Sequence, residues 1–340
     1  MAERDEGHQP WSRWGSYLSD RQWGTVREDY SADGNAWSSF PHDHARMRCY
    51  RWGEDGLLGI SDEKGLLCFG LALWNGRDPI LKERPFGLAN GEGNHGEDLK
   101  DYFFHLLNTP THSFMRGLYK YPQQEFPYQH LVEENGRRGR DQPEYELVET
   151  GIFDDNRYFD VFVDYAKASP EDLLIRIRVV NRGADEAELS LIPTLWLRNI
   201  WDWGYKEEWR QRSPICRDGD GIKTPDVHGI GSYQLACRQQ GTWLFTENAT
   251  NTERLYQQPN QQPYVKDAFH RYVVNGEQEA VNPAQEGTKA GLLLQQRIAG
   301  GGEWVVDLRL ARQLPADPFD DSFDQLLQQR EQECLDYFDS

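Results

Sequence analysis

The chain has 340 residues, of which 38% are hydrophobic and 13% aromatic, so it is long enough to bury a large core in one or two domains. Its 56 acidic residues outnumber its 37 basic residues and give a formal net charge of -19. Such a charge repels nucleic-acid phosphates and anionic membrane surfaces, so we expect neither as a partner.

The N-terminal residues 1–13 lack the apolar run of a signal peptide, and no later segment has the roughly 18 apolar residues that a membrane helix needs. We therefore expect a flexible N-terminus over residues 1–13 and a cytoplasmic location. The five cysteines are scattered and lack C-x-x-C spacing, which indicates reduced thiols rather than a disulfide framework or a zinc ribbon.

The first informative segment, residues 23–56, places tryptophans among carboxylates, imidazoles and guanidinium groups. Aromatic rings cover the apolar C–H faces of a sugar while charged groups hydrogen-bond its hydroxyls, so this mixture favours a carbohydrate ligand. The alternative is that the aromatic side chains fill the core of a β-sandwich. The residues that we expect to contact the ligand are Tyr30, Trp37, His42, Asp43, His44, Arg46 and Trp52.

Two histidines of this segment, His42 and His44, would point to the same face if the segment were a strand. Such a pair could bind a metal ion with His95 or Glu97 as further ligands. The spacing argues against a metal site, because the first acidic residue after His44 is Glu54. We therefore expect no metal or other cofactor, and assign the imidazoles to hydrogen bonds with a ligand or at a domain junction.

Catalytic carboxylates are harder to identify, because hydrolysis of a glycosidic bond needs two carboxyl groups that face each other across the bond. If such a pair lies within this chain, the weak candidates are Asp43 with Glu92, Glu97 or Asp98. No motif distinguishes them from ordinary surface carboxylates. The glycine-rich residues 87–96 lack the Gly-Lys-Ser/Thr ending of a phosphate-binding loop, and no nucleophile elbow is present.

Two long segments, residues 83–101 and residues 201–226, are predicted to be functional loops, because loops of this length are uncommon in a compact domain unless they bind something or move. The first is rich in glycine, and the second carries three tryptophans. We expect both to lie near the ligand.

The rest of the chain alternates between apolar and polar residues, which predicts strands over residues 159–165, 173–179 and 304–310. Continuous strand patterns without intervening long helices predict a mainly β fold, a large antiparallel two-sheet β-sandwich over residues 14–316. Residues 317–338 have helical periodicity and acidic residues in the first turn, which predicts an amphipathic linker helix within residues 317–340. We expect its apolar stripe to pack against a further domain.

A family resemblance rests on three segments: residues 23–56, residues 67–123 with the run LKERPFGLANGEGNHGEDLKDYFF, and residues 150–167, TGIFDDNRYFDVFVDYAK. Together they resemble the N-terminal region of large bacterial glucosidase-like proteins related to glycoside hydrolase family 63, the processing α-glucosidase group. The similarity extends over nearly the whole chain from residue 14 onward.

This resemblance implies a β-sandwich followed by a barrel of paired helices, which supplies the general acid and general base for inverting hydrolysis of α-glucosidic bonds. It implies an oligosaccharide or glucoside as ligand and a helical-barrel domain, in the same or a separate chain, as partner. The family's catalytic carboxylates have no counterpart before residue 340, so we expect this chain alone to be inactive and its loops to line the substrate groove. The alternatives are a non-catalytic carbohydrate-binding or interaction module, and a fragment with no independent role.

Overall fold

A computed structural model describes residues 7, 9–15, 41–50, 55–89, 91–96 and 98–339. Within these residues, some strands form from alternating apolar and polar residues, which bury one face, and others, such as residues 67–74, from continuous apolar runs that are buried on both faces. In chain order the strands are β1 (Trp14–Gly15), β2 (Leu57–Asp62), β3 (Leu67–Trp74), β4 (Gly87–Leu88), β5 (Asp98–Leu99), β6 (Phe103–Asn108), β7 (Phe114–Pro122), β8 (Tyr158–Ser169), β9 (Asp172–Asn181), β10 (Ala187–Leu197), β11 (Ile215–Asp218), β12 (Gly221–Lys223), β13 (Gln234–Cys237), β14 (Thr242–Thr246), β15 (Glu286–Gly287), β16 (Lys289–Ile298) and β17 (Glu303–Ala311).

Most of these strands belong to two antiparallel sheets that share one core. In the described residues, one sheet has six strands in the order β1-β2-β3-β10-β16-β14. The other has nine strands in the order β15-β11-β12-β13-β17-β9-β8-β7-β6, and β4 and β5 pair separately. The predicted mainly β fold with antiparallel sheets and a C-terminal helix is confirmed.

The predicted strands at residues 159–165, 173–179 and 304–310 lie within β8, β9 and β17, which are neighbours in the nine-stranded sheet. Their alternate apolar side chains, including Val163 and Ile177, are fully buried against the six-stranded sheet. The hydroxyl of Tyr165 also donates a hydrogen bond across the core to the carbonyl oxygen of Leu58, at 2.7 Å. The core therefore lies between the two sheets.

The glycine turn at residues 300–302 carries the chain from the six-stranded to the nine-stranded sheet, since it joins β16 to β17. Gly301 has a φ of +67°, which side chains other than glycine rarely adopt. A Cβ atom on Gly300 would lie 1.9 Å from the carbonyl oxygen of Ala184. Glycine is thus required here both by conformation and by close packing.

The helices are short except for the last one. In the described residues they are α1 (His42–Ala45), α2 (Tyr128–Arg137), α3 (Thr252–Tyr256), α4 (Ala268–Val273) and α5 (Asp321–Asp339), with 3-10 turns at Trp11–Arg13, Leu147–Thr150, Asp154–Asn156, Trp201–Trp203, Glu208–Arg210 and Gln278–Ala280. No helix in the described ranges is both long enough and apolar enough to cross a membrane.

The C-terminal helix α5 begins at Asp321 rather than at residue 317, because the Asp320 carboxylate accepts a hydrogen bond from the Ser322 backbone N–H at 3.0 Å and so closes the turn before the helix. The expectation that its apolar stripe packs on a further domain is wrong. The stripe covers the outer face of the nine-stranded sheet, and the buried residues of this contact are Phe114, Ala166, Leu174, Phe323, Leu327 and Cys334.

Ion pairs fix α5 to that sheet. Arg116 donates two hydrogen bonds to Asp164, at 2.6 and 2.7 Å, and a third to Glu331 of α5, at 2.6 Å. Arg176 bridges Asp307 and Asp324 in the same way. Bidentate arginine–carboxylate pairs of this kind hold a defined orientation, so α5 is part of the sandwich.

The predicted flexible N-terminus includes the described 3-10 turn Trp11–Arg13. The Lys167 ammonium donates hydrogen bonds to the carbonyl oxygens of Trp11, Trp14 and Thr111, at 2.5, 2.5 and 3.2 Å. These bonds tie the turn and β1 to β8.

Candidate functional site

A groove opens beside the turn that follows β10. This turn, Trp201–Trp203, ends at Gly204, whose φ of 77° is the left-handed conformation that favours glycine at the end of a helical turn. The groove has a volume of about 450 Å³, and three distant parts of the chain line it: Arg48, Cys49, Tyr50, Asn199, Asp202, Trp203, Tyr205 and Thr250.

The aromatic wall of this groove consists of Trp203 and Tyr205, whose ring centroids lie 6.1 Å apart. The guanidinium carbon of Arg198 lies 5.0 Å from the Trp203 ring centroid, and that of Arg210 lies 4.0 Å from the Tyr205 ring centroid. Each such contact contributes about 0.5–1 kcal/mol at an exposed site. The two rings are therefore held in place, while Tyr205 stays 47% exposed.

The floor of the groove is a hydrogen-bonded network. The Asn199 side-chain amide donates to Asp202 at 2.6 Å and to the Asn248 carbonyl oxygen at 3.0 Å. The Cys49 backbone N–H donates to Thr250 at 3.0 Å, and its thiol donates to the Asn248 carbonyl oxygen at 3.2 Å. Burial raises the pKa of the Cys49 thiol to about 12, so it is not a nucleophile at neutral pH.

Four predicted residues lie in or next to α1, which comes just before the first groove residues in the chain. They are His42, Asp43, His44 and Arg46. Pro41 precedes this helix at the N-cap position in an extended conformation, with φ -63° and ψ 163°. The expectation that His42 and His44 share one face of a strand is wrong, since residues two apart point in different directions on a helix.

The His42 ring packs among aromatic side chains rather than in the groove. It stacks on Tyr128, with centroids 5.5 Å apart, and meets the edge of Phe86 at 5.2 Å. Its Nε2 atom is inaccessible to solvent, although part of the residue is exposed. Burial, followed by the charges of Arg84, Lys82 and Arg46, holds the pKa of His42 well below its ordinary value.

On the other side of α1, Arg46 and Met47 line a second cavity of about 540 Å³ with His270. The Asp43 carboxylate is 77% exposed and lies 3.3 Å from the Arg46 guanidinium. The Leu81 backbone N–H donates to Nδ1 of His270 at 3.2 Å. Burial, and then the charge of Arg46, lowers the pKa of His270 to about 4.

The predicted residue Asp98 lies in β5 within a cluster of carboxylates around Lys100. Lys100 Nζ contacts Asp98 and lies 3.3 Å from Glu144 and 3.1 Å from Glu146. Oxygen atoms of these three carboxylates lie within 4.8 Å of one another, close enough to hold a metal ion. The lysine ammonium already supplies the positive charge there, which makes Asp98 a member of an ion-pair cluster.

Other predicted residues, namely Tyr30, Trp37, Trp52 and Glu97, lie outside the described residues, so those assignments remain predictions. Glu92 accepts a hydrogen bond from the Ala89 backbone N–H at 2.7 Å.

The two predicted functional loops lie near the groove and near α1. Residues 201–226 form the aromatic wall, although they also contain the hairpin β11–β12, and residues 83–89 carry Arg84 to the base of α1.

Sequence reasoning missed Tyr50, Asn199, Tyr205 and Arg84. Tyr50, Arg84 and Tyr205 lie within residues 23–56, 83–101 and 201–226, which the sequence marked in advance, but no pattern distinguished them from their neighbours. The positions of Asn199 and Arg84 depend on contacts with residues about thirty to fifty positions away, such as the bond from Asn199 to Asn248 and the contact of Arg84 with Tyr50.

Comparisons with known proteins give one long sequence match. The chain is 42% identical over 329 residues to an uncharacterized protein of Saccharomyces cerevisiae, and the match covers 87% of this chain and 30% of the yeast protein. The chain thus spans less than a third of the length of this curated relative. No protein-family model matches it.

Solved structures with partial similarity are described as carbohydrate-active proteins. A polysaccharide lyase has a TM-score of 0.29 and 12% identity, covering 78% of this chain and 27% of its own. A human-microbiome protein described as a kojibiose phosphorylase has a TM-score of 0.29 and 10% identity, covering 83% and 29%. An Escherichia coli K12 protein described as an aldose 1-epimerase has a TM-score of 0.25 and 10% identity, covering 61% and 67%. These scores identify neither activity nor substrate for this chain.

Proposed function

We propose that this chain is the β-sandwich part of a carbohydrate-active enzyme similar to the α-glucosidases of glycoside hydrolase family 63. In this proposal the sandwich contributes a saccharide-contacting wall, and the catalytic carboxylates lie in a helical-barrel domain, in the same protein or in a separate chain. The observation that carries the proposal is the groove between Tyr50 and the Trp203–Tyr205 wall.

The chemistry of the groove suits a saccharide. Trp203 and Tyr205 offer ring surface for the C–H faces of a sugar, and Asn199, Asp202 and Thr250 offer amide, carboxylate and hydroxyl groups for its hydroxyls. The volume of about 450 Å³ falls within the range of small-molecule sites, which is about 300–1,000 Å³. A wall that is already fixed by Arg198 and Arg210 loses little conformational entropy when a ligand binds.

The cation partners of the described carboxylates support the proposal that this chain binds the saccharide while another domain catalyses its hydrolysis. Inverting hydrolysis needs two carboxyl groups about 6.5–9.5 Å apart with a water between them. Asp43, which is itself exposed, pairs with Arg46, and Asp98 pairs with Lys100. Carboxylates engaged by cations in this way favour a structural role, so we assign the acid and base to the helical barrel.

Binding of malto-oligosaccharides to the 340-residue chain, measured by isothermal titration calorimetry, tests the groove. We expect Trp203→Ala to weaken binding by about 1–2 kcal/mol, the scale of one lost aromatic contact, with little change in melting temperature. The matched control is Trp243→Ala, because Trp243 is also half-buried but lies on β14, outside the groove. Equal losses in the two variants, or none in either, would remove the support for a saccharide groove.

A non-catalytic carbohydrate-binding module is the second candidate, favoured by the same cation-paired carboxylates. Hydrolysis of aryl α-glucosides separates the two. We expect the 340-residue chain alone to show none, and the chain together with a helical-barrel domain, joined to it or added separately, to hydrolyse them with inversion. Saccharide binding at Trp203 without hydrolysis in either combination would favour the module. Turnover by the 340-residue chain that Asp43→Asn or Asp98→Asn abolishes would contradict the proposal that another domain catalyses the hydrolysis.

A further inference from the structure

A buried arginine, Arg84, has no counter-charge among the described residues and contacts a side chain of the groove. Arg84 is only 1% exposed, and its Nη1 and Nη2 atoms have no hydrogen-bond partner among the described residues. Other arginines of the sandwich, such as Arg212 and Arg309, instead form bidentate pairs with Glu247 and Asp172. An unpaired buried charge is unfavourable, and the described residues around Arg84 supply no anion to pair with it.

The neighbours of Arg84 add positive charge and unused donors rather than supplying that anion. The Arg46 Nε and His42 Nε2 atoms are buried without hydrogen-bond partners among the described residues. Lys82 is also buried, and its ammonium lies 3.4 Å from the Asp101 carboxylate. The Asp101 carboxylate is not available to Lys82 alone, because it also accepts hydrogen bonds from the Tyr119 hydroxyl and from the backbone N–H of residue 86. The repulsion of Arg46 adds to burial in lowering the pKa of Arg84.

Tyr50 connects this cluster to the groove. Its ring contacts two cations: the Arg84 guanidinium carbon lies 4.8 Å from the ring centroid, and Lys266 Nζ lies 4.4 Å from it. Lys266 has its own counter-ion, Asp55, at 2.6 Å, whereas Arg84 has none in the described residues. Since Tyr50 also lines the groove, one side chain contacts both Arg84 and the groove.

We propose that Arg84, assisted by Arg46 and His42, binds an oxyanion group, a carboxylate or a phosphate, on a ligand that reaches it past Tyr50. The fork of a guanidinium group matches both kinds of oxyanion and forms two parallel hydrogen bonds to either. This inference rests on the proposed function and narrows its ligand to an anionic saccharide, such as a uronate or a sugar phosphate. The net charge of -19 opposes long-range attraction of anions, so recognition depends on this local cluster.

Thermal melting and calorimetry of the 340-residue chain test the proposal. The probes are glucuronate, glucose 6-phosphate and inorganic phosphate at constant ionic strength, with neutral glucose as the comparison. We expect at least one anionic probe to raise the melting temperature, and the one that binds most tightly distinguishes a carboxylate from a phosphate ligand. Arg84→Met should weaken its binding at least about tenfold, because it removes a charge-assisted hydrogen-bond pair.

The melting temperature of the ligand-free chain is a second measurement, in which Arg84→Met should not show the loss that it shows in anion binding. Arg84→Met removes an unpaired buried charge, so we expect it to retain or raise that temperature. The control Arg212→Met breaks the pair with Glu247, so it should lower the melting temperature and keep the response to the anion. Arg84→Lys keeps a charge without the fork and should bind the anion more weakly than the parent chain does.

Two results would overturn the proposal. One is that none of the anionic probes raises the melting temperature of the parent chain more than chloride does. The other is an Arg84→Met chain that loses as much stability as Arg212→Met or fails to fold, because Arg84 would then already have its counter-charge within the protein. Neutral malto-oligosaccharide binding, weakened in Trp203→Ala, tests the proposed function separately, so a failure of the anion proposal is distinguishable from a failure of the proposed function.

Discussion

Acidification should destabilise the sandwich through one histidine, His270 of α4. Its Nδ1 atom accepts a hydrogen bond from the Leu81 backbone N–H at 3.2 Å, which requires Nδ1 to be unprotonated. Burial, and then the nearby charge of Arg46, lowers the pKa of His270 from 6.5 to about 4. Protonation of the ring would therefore break a hydrogen bond and bury a charge beside an arginine.

The size of this effect follows from the two pKa values. Because the folded-state pKa lies below the unfolded-state pKa, the unfolded chain binds the proton more tightly between pH 6.5 and 4. Stability is therefore fully present above pH 6.5 and is lost as the pH falls through this window. Each pKa unit is worth about 1.4 kcal/mol, so the loss by pH 4 is about 3 kcal/mol.

Urea unfolding of the parent chain and of His270→Asn at several pH values between 7 and 4 measures this loss. Asparagine places an acceptor near the position of Nδ1 but does not titrate, so the variant should lose about 3 kcal/mol less on acidification. Other titrating groups cancel in the comparison. The His270 ring can also be titrated directly by NMR. Identical pH dependence in the two proteins, or a measured pKa of 6.5 or above, would refute the reasoning.

Three further predictions concern packing, metals and thiols. Phe323→Ala should cost about 3–5 kcal/mol in urea unfolding because it empties a buried site under α5, whereas Phe338→Ala, at a residue 57% exposed on the same helix, should change stability by less than about 0.5 kcal/mol. Chelators should leave the melting temperature unchanged because the Lys100 ammonium already occupies the position between the three carboxylates, so a fall reversed by one divalent metal would contradict the assignment. Burial raises the pKa of the thiols of Cys49 and Cys237 to about 12, so iodoacetamide at pH 8 should label them only after unfolding, as judged by mass spectrometry.

The sequence by itself determined part of the regular structure of the protein. Strands β8, β9 and β17 are predicted by alternation alone, because one buried face imposes a period of two on each strand wherever its partners lie. The C-terminal helix is predicted by its own apolar period for the same reason. Those signals stay within ten to twenty consecutive residues, so they can be read without knowledge of the rest of the fold.

The tertiary structure alone decided where those elements meet. The groove joins Cys49 to Asn248, 199 positions later in the chain, and the stripe of α5 packs on the sandwich itself rather than on another domain. Local periodicity has the same form in either arrangement, so it could not predict the packing partner. The burial of Arg84 and the contacts of Lys100 with Glu144 and Glu146 likewise depend on long-range packing. Whether a charge is paired depends on which distant residues surround it, and only the folded chain brings those residues together.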